Sequence, residues 1–301
     1  LALEEPGDVV EAEYSEIEGV QIVEVTGAPS LSTNPTRNTA GVAASAVLHR
    51  IDPAGTVGVR LRVHKKMPLA SGLGSSAASS VAAAMAVNEL CSGGLSRNVL
   101  VECALEGEKA ASGTAHADNV APSLMGGIVL VRSCAPLDLI SLPVPSALRI
   151  VVIHPHTQVQ TAMARRRVVE RRFEISKAVA NLGNIAALVS ALHSGDLDLL
   201  GRSIHDELVE PIRAPLVPGF WAVKDAALAA GAQGCSISGS GPSMFAFSDD
   251  DGLATAVADA MQGSFRKFGL GSDRYVGSVN TTGARVLSPP GEADKVRPGL
   301  D

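Results

Sequence analysis

The chain has 301 residues, 46% hydrophobic and 19% charged, with a formal net charge of -6 at pH 7. That length suits one large domain or two ordinary ones, and the acidic balance gives no support to nucleic-acid binding. Aromatic residues make up only 3%, so the core is expected from Val, Leu, Ile and Ala on closely packed elements.

The opening LALEEPGD shows neither a Met nor a signal pattern and reads as the middle of a domain, the expectation for a chain clipped at its start. Residues 9–14 and 20–25 alternate apolar and polar positions, as a half-buried hairpin does. A proline-containing stretch then leads into a helix over 39–50, and a strand follows at 57–63. Next comes KKMPLASGLGSSAASSVAAAMAVNEL, residues 65–90, a glycine loop feeding an alanine-rich helix. Another helix covers 96–111 and carries Glu102, Glu106 and Glu108. SGTAHADNVAPS breaks it as a polar loop, and Gly126-Gly127 turns into a strand at 128–131.

Proline punctuation at 142–146 marks a boundary near residue 145. Beyond it lie a buried strand at 148–153 and helices over 176–193, 197–208 and 218–230. The strand-and-loop segment GCSISGSGPSMFAF follows, then a helix over 252–268 and strands near Tyr275 and Ala284. Residues 288–301 are polar and proline-containing and are expected to be a disordered tail. Strands and helices mix without a steady βαβ rhythm, which argues an α+β fold. The cysteines, Cys91, Cys103, Cys134 and Cys235, lack metal-site spacing and read as reduced thiols. Arg, His, Gly or Pro interrupts every apolar run, so no membrane span is expected. Arg165-Arg166-Arg167 with Arg171-Arg172 is interleaved with Glu170 and Glu174, and its default reading is a solvated helix face.

The glycine loop carries the chemistry. A helix start leaves N–H groups unpaired and bears partial positive charge. Glycines just upstream let the backbone turn and approach a ligand. Gly72 and Gly74, with Ser75 or Ser76 as the expected N-cap, therefore make an anion site suited to phosphate. An ordinary cap needs one serine, not Gly-Leu-Gly-Ser-Ser. A Walker loop is excluded because the chain contains no Gly-Lys pair. The dinucleotide pattern is excluded because Pro68 separates the expected strand from Gly72.

Pro68-x-x-x-Gly72-Leu-Gly-Ser-Ser-Ala-Ala78 resembles the ATP-binding signature of the GHMP kinases, and SISGSGPSMFAF resembles their C-terminal glycine-rich motif. NPTRNTAGVAA, GTAHADNVAPSLMGG, VEPIRAPLVPG and SGDLDLLGRSI narrow the resemblance to the homoserine kinases, the plant-type ones in particular, over residues 7–287. The resemblance implies a two-domain fold: a ribosomal-S5-like ATP-binding domain over 1–145 and a ferredoxin-like domain over 146–287. It also implies that the family's first, N-terminal motif is absent.

The resemblance further implies a set of roles. Asn38, Pro68, Ser71, Gly72, Leu73, Gly74, Ser75, Ser76 and Ala77 would hold ATP, with Asn38 equally placed to cap a helix. Ser76 and Glu108 would hold Mg²⁺, which favours hard oxygen ligands. L-homoserine would meet His116, Asp118, Asn119, Arg165, Arg213 and Gly239, its carboxylate paired with guanidinium. Asn119, Thr161 and Arg165 would serve the transfer step. An amide cannot take a proton as a base, so direct in-line attack is expected, with Asp118 as base the minority reading. The resemblance leaves a homodimer open and points to a plastid in a plant or alga, otherwise to the cytoplasm. The alternatives are a GHMP kinase for another small alcohol and a non-catalytic sensor of the same fold.

Overall fold

The computed structural model describes residues 1–287, with the side chains of Ala111, Ser112, Thr161 and Ala162 outside that description. The tail expected over 288–301 therefore lies outside the described residues.

In the N-terminal half, β1 (Val9–Ser15) and β2 (Gly19–Thr26) precede a 3-10 turn at Pro35–Arg37, then α1 (Thr39–Ile51) and β3 (Gly58–His64). The expected hairpin does not form. β3 lies between the other two strands, antiparallel to β1 and parallel to β2. Gly58 makes room for this: a Cβ there would stand 2.1 Å from the Ile17 carbonyl oxygen and 2.4 Å from that of Ser15. The β1–β2 connection thus crosses the end of β3. β2–α1–β3 forms a parallel crossover, which buries α1 against the sheet.

α2 (Ser75–Leu90) and α3 (Arg97–Ser112) pack with α1 on that sheet. Their shared core is small-residue rich: Ala40, Ala44, Val47, Leu61, Ala77, Val81, Ala84, Val87 and Ala104. Ser96 caps α3 by accepting from the Val99 N–H. The segment expected as a polar loop after α3 is instead helical from Ala117 to Met125, as α4. Ala117, Val120, Ala121 and Leu124 are all buried, the spacing of one helical face, and that burial outweighs the polar composition. β4 (Ile128–Cys134) and β5 (Leu137–Leu142) close the half as an antiparallel hairpin.

The C-terminal half runs through β6 (Arg149–Pro155), α5 (Thr161–Val169), α6 (Ile175–Ser194), α7 (Leu197–Ser203) and α8 (Glu210–Arg213). It continues with a 3-10 turn at Ala214–Leu216, α9 (Phe220–Ala229), β7 (Gly234–Ile237), β8 (Met244–Ser248), α10 (Asp251–Lys267) and β9 (Ser272–Gly277). The sheet has the order β7-β8-β6-β9 and is antiparallel throughout. This is the split arrangement of a ferredoxin-like domain. β6 is buried on both faces. Val151 and Ile153 meet Phe220, Val223 and Val257, while Ile150 and Val152 meet Leu192, Leu200 and Leu142.

Two more expectations change. The helix expected over 197–208 stops at Ser203, because the Asp206 carboxylate takes the N–H groups of Leu208, Val209 and Glu210 and starts a new turn. No strand forms at Ala284, whose N–H reaches the Leu124 carbonyl instead.

α6 also departs from the reading that no run could span a membrane. Its 20 residues are long and apolar enough by length and composition. One side is docked through Asn181 to Asp206 and Asn184 to the His205 carbonyl. The other side exposes Ile175, Val179, Leu182 and Ile185.

Candidate active site

Two glycine-rich loops from opposite halves meet. The Ser238 hydroxyl donates to the Gly72 carbonyl at 3.0 Å, and the Ser243 N–H donates to the Ser71 carbonyl at 3.1 Å. Gly72 has φ +80°, and a Cβ on it would lie 2.3 Å from the Ser238 carbonyl oxygen. Only glycine fits both the left-handed backbone and the close approach. Ser71 is buried and its hydroxyl accepts from the Leu73 N–H, which tightens the turn. Leu73 packs into the C-terminal core.

α2 starts differently from the expectation. Gly74, in the left-handed region, is its N-cap, and no side chain caps it. The serines have other partners. Ser75 donates to the Met67 carbonyl, which pulls the loop beside Pro68 onto the helix. Ser76 donates to Glu108 Oε2 at 2.5 Å, across 32 residues. Ala77 is buried in the core and contributes packing rather than a polar contact. The helix end therefore keeps its dipole, with a hydroxyl and a carboxylate side by side at its mouth.

Burial raises the Glu108 carboxyl above its usual range, opposed by the Ser76 hydrogen bond and by nearby His116. One hydroxyl and one carboxylate, both hard oxygen donors beside a phosphate-type loop, fit Mg²⁺. Among the described residues there is no cluster of three or more His, Cys, Asp or Glu side chains that could hold a metal. Such a cluster would be expected of an all-protein cage rather than of a nucleotide-bound Mg²⁺.

The sequence did not single out the support under this loop. Asp8 pairs with Lys65 in a site where both side chains are buried. Lys65 also donates to the Ser75 carbonyl at 2.7 Å and to Ser79 Oγ at 2.9 Å. Asp8 further accepts from the N–H groups of Lys66 and Met67. Desolvation lowers the Lys65 pKa, against the pull of Asp8. The available signal was a lysine at the end of a predicted strand, immediately before the loop.

The substrate-side residues gather on the other flank. His116 is the N-cap of α4, and Asp118 and Asn119 lie in its first turn. Asn119 abuts the loop: a Cβ on Gly74 would lie 3.3 Å from the Asn119 Cβ. Arg165 separates from its basic neighbours. Arg166 and Arg167 are exposed, whereas Arg165 turns to Thr114 Oγ1 at 2.5 Å and His116 Nε2 at 2.9 Å. The solvated-face reading thus holds for Arg166, Arg167, Arg171 and Arg172 but not for Arg165. Thr161 opens the same helix, its side chain outside the described residues.

Arg213 donates to the Gly239 carbonyl at 2.7 Å. Among the described residues, its Nε is the buried side-chain nitrogen or oxygen left without a hydrogen-bond partner. Desolvation lowers the Arg213 pKa, and the charges of Asp206, Arg165 and Asp118 all act on it. Two guanidinium groups and one unmet donor so converge on one region. An anion there would relieve both the repulsion and the unmet N–H. Asn38 is not part of this cluster. Its Oδ1 accepts from the Ala40 N–H and caps α1, and its Nδ2 donates to the Ser32 carbonyl in the preceding loop, so both polar ends are engaged within the protein.

Comparison with known proteins gives matches in both halves of the chain. The model described as GHMP kinases N terminal domain matches residues 38–127, and GHMP kinases C terminal matches residues 188–267. The chain is 44% identical over 298 residues to a protein named homoserine kinase from Chlorobium phaeobacteroides (strain BS1), covering 95% of this chain and 93% of that one. It is 39% identical over 283 residues to one of the same name from Xanthomonas campestris pv. campestris (strain B100), covering 94% and 86%. The crystal structure of homoserine kinase from Cytophaga hutchinsonii superposes with a TM-score of 0.90 at 46% identity, covering 95% of this chain and 90% of that one. Mevalonate kinase from L. major, at 18% identity and a TM-score of 0.71 over 92% and 87%, shares the fold.

Proposed function

We infer that this chain, which belongs to the homoserine kinases of the GHMP kinase family, transfers the γ-phosphoryl group of ATP to the hydroxyl of L-homoserine, giving O-phospho-L-homoserine and ADP. The observation that carries the substrate assignment is the unmet, buried Nε of Arg213, a donor waiting for an anion of carboxylate geometry.

The site supports a division of labour. The loop from Gly72 to Ser76 and the α2 N-terminus receive the ATP phosphates. Ser76 and Glu108 are the residues that would hold Mg²⁺, which when bound neutralises charge on the phosphates. Arg213, with Arg165 beside His116, takes the substrate carboxylate. Asn119, lying against Gly74, is suited to orient the acceptor hydroxyl toward the loop. The hydroxyl oxygen bonds to the γ-phosphorus as the bond to the ADP oxygen breaks, and the hydroxyl proton leaves to solvent or to the transferred phosphoryl group. Asn119 has no basic lone pair to take it. Catalysis in this reading is positioning and charge stabilisation, the main demands of phosphoryl transfer. The relatives named above are bacterial, which favours a cytoplasmic setting over a plastid one.

The deciding test is ADP release with a panel of small alcohols: L-homoserine, mevalonate, shikimate and homoserine lacking its carboxylate. Turnover confined to L-homoserine supports the reading. Equal turnover of the decarboxylated analogue would sink the arginine assignment, and no turnover of any alcohol would favour a sensor.

A further inference from the structure

We propose that Glu210 is a positioning residue that sets Arg213 in register with both glycine loops. This rests on the reading of Arg213 as the group that holds the substrate carboxylate.

α8 has only four residues, Glu210 to Arg213. A single turn has no stability of its own. The direction of Arg213 therefore depends on what anchors that turn. One anchor is Asp206, on the backbone N–H groups at its start. The other is the Glu210 side chain, which is 1% exposed. Its Oε1 accepts from Lys224 Nζ at 2.5 Å, and its Oε2 accepts from the Ser236 hydroxyl.

These partners are informative by their location. Lys224 lies on α9, behind the site. Ser236 lies on β7, the strand that feeds the C-terminal glycine loop. Gly239 of that loop accepts from Arg213, and Ser238 donates to Gly72. A closed circuit results: Glu210 to Ser236, along the strand to Gly239, across to Arg213, and back down one helical turn to Glu210. A shift of the Glu210 carboxylate must therefore move Arg213 relative to the loop that receives the phosphates.

Burying a carboxylate and an ammonium is a poor way to gain stability, because a well-packed apolar pair commonly does as well. A buried charged pair does specify one geometry, since each oxygen of the carboxylate has one partner here. The Glu210 carboxylate bonds to Lys224 and Ser236 and not to Arg213 or Arg165, so the role assigned is positioning, not catalysis.

The experiment compares wild type with Glu210→Gln, Ser236→Ala and the double variant Glu210→Gln/Lys224→Met. The double variant removes both buried charges and keeps the test open if Glu210→Gln alone fails to fold. The expected result, in variants that unfold cooperatively, is a homoserine KM raised by about tenfold or more with the ATP KM within about threefold. A second readout needs no turnover: the ¹H–¹⁵N signal of Arg213 Nε in ¹⁵N-arginine-labelled protein, assigned with Arg213→Lys. It should shift or broaden in each variant. If a folded double variant keeps both the homoserine KM and the Arg213 signal of wild type, the proposal is overturned. It is also overturned if the two KM values rise in step. If wild type itself does not use homoserine but the Arg213 signal still responds, the substrate reading fails and the positioning role stands.

Discussion

The Ser238 hydroxyl donates to the Gly72 carbonyl at 3.0 Å, so two glycine loops 166 residues apart in sequence form one wall. Gly72 can take part because it carries no side chain: a Cβ would lie 2.3 Å from one backbone oxygen and 2.8 Å from another. Gly72→Ala should push the loops apart and strain a left-handed backbone. The expected cost is about 1–3 kcal/mol of stability, with ATP KM raised more than homoserine KM. Thermal unfolding and separate KM measurements check this, and an unchanged ATP KM in the folded variant would refute it.

Ser76 and Glu108 are expected to act together. Glu108→Ala and Ser76→Ala should each lose most turnover while circular dichroism stays that of wild type. The Glu108→Ala loss should be partly recovered at high Mg²⁺, as follows from removing one ligand of a hard cation. Near-normal turnover at limiting Mg²⁺ would remove both residues from the metal site.

Arg213→Leu should raise the homoserine KM strongly and leave ATP KM little changed. A lost charge-assisted contact of this kind costs ~2–5 kcal/mol, which corresponds to roughly 30-fold or more in affinity. A parallel fall in affinity for both substrates would mean that Arg213 only holds the loop through Gly239.

Asp206 gives a pH-dependent prediction. Burial pushes its carboxyl up, but the Asn181 side chain and the N–H groups of Val209, Leu208 and Glu210 outweigh that and hold it below the usual range. A carboxylate with a lower pKa in the folded chain adds stability above its unfolded value of about 3.9. That stability is lost as the pH falls through the folded value. Asp206→Asn should therefore cost about 1–2 kcal/mol at pH 7, discounted for partial exposure. The difference from wild type should shrink toward pH 3. Urea unfolding at both pH values measures it, and a pH-independent difference would show that geometry rather than charge is what Asp206 supplies.

Local residue patterns set most of the elements and marked candidate chemistry at their ends. Runs of Ala, Val and Leu set α1, α2 and α10 nearly to the residue, since helix formation depends on neighbours three and four positions away. The Gly-Ser loop could be read as a candidate anion site for the same reason: backbone freedom and an exposed helix start are local properties. Which strand lies between which follows from the packing of whole elements. The alternation in β1 and β2 suits a hairpin and a β3-centred sheet equally, and the bare Cα of Gly58 under Ile17 settles it. Arg165, and Ser76 with Glu108, were singled out only through family resemblance, and residue patterns alone did not show that Arg165 turns to His116, that Ser76 meets Glu108 or that Lys65 meets Asp8. Those pairings cross 32 to 57 residues of chain. A long-range contact is fixed by where whole elements pack, and that packing is a property of the complete core rather than of any segment.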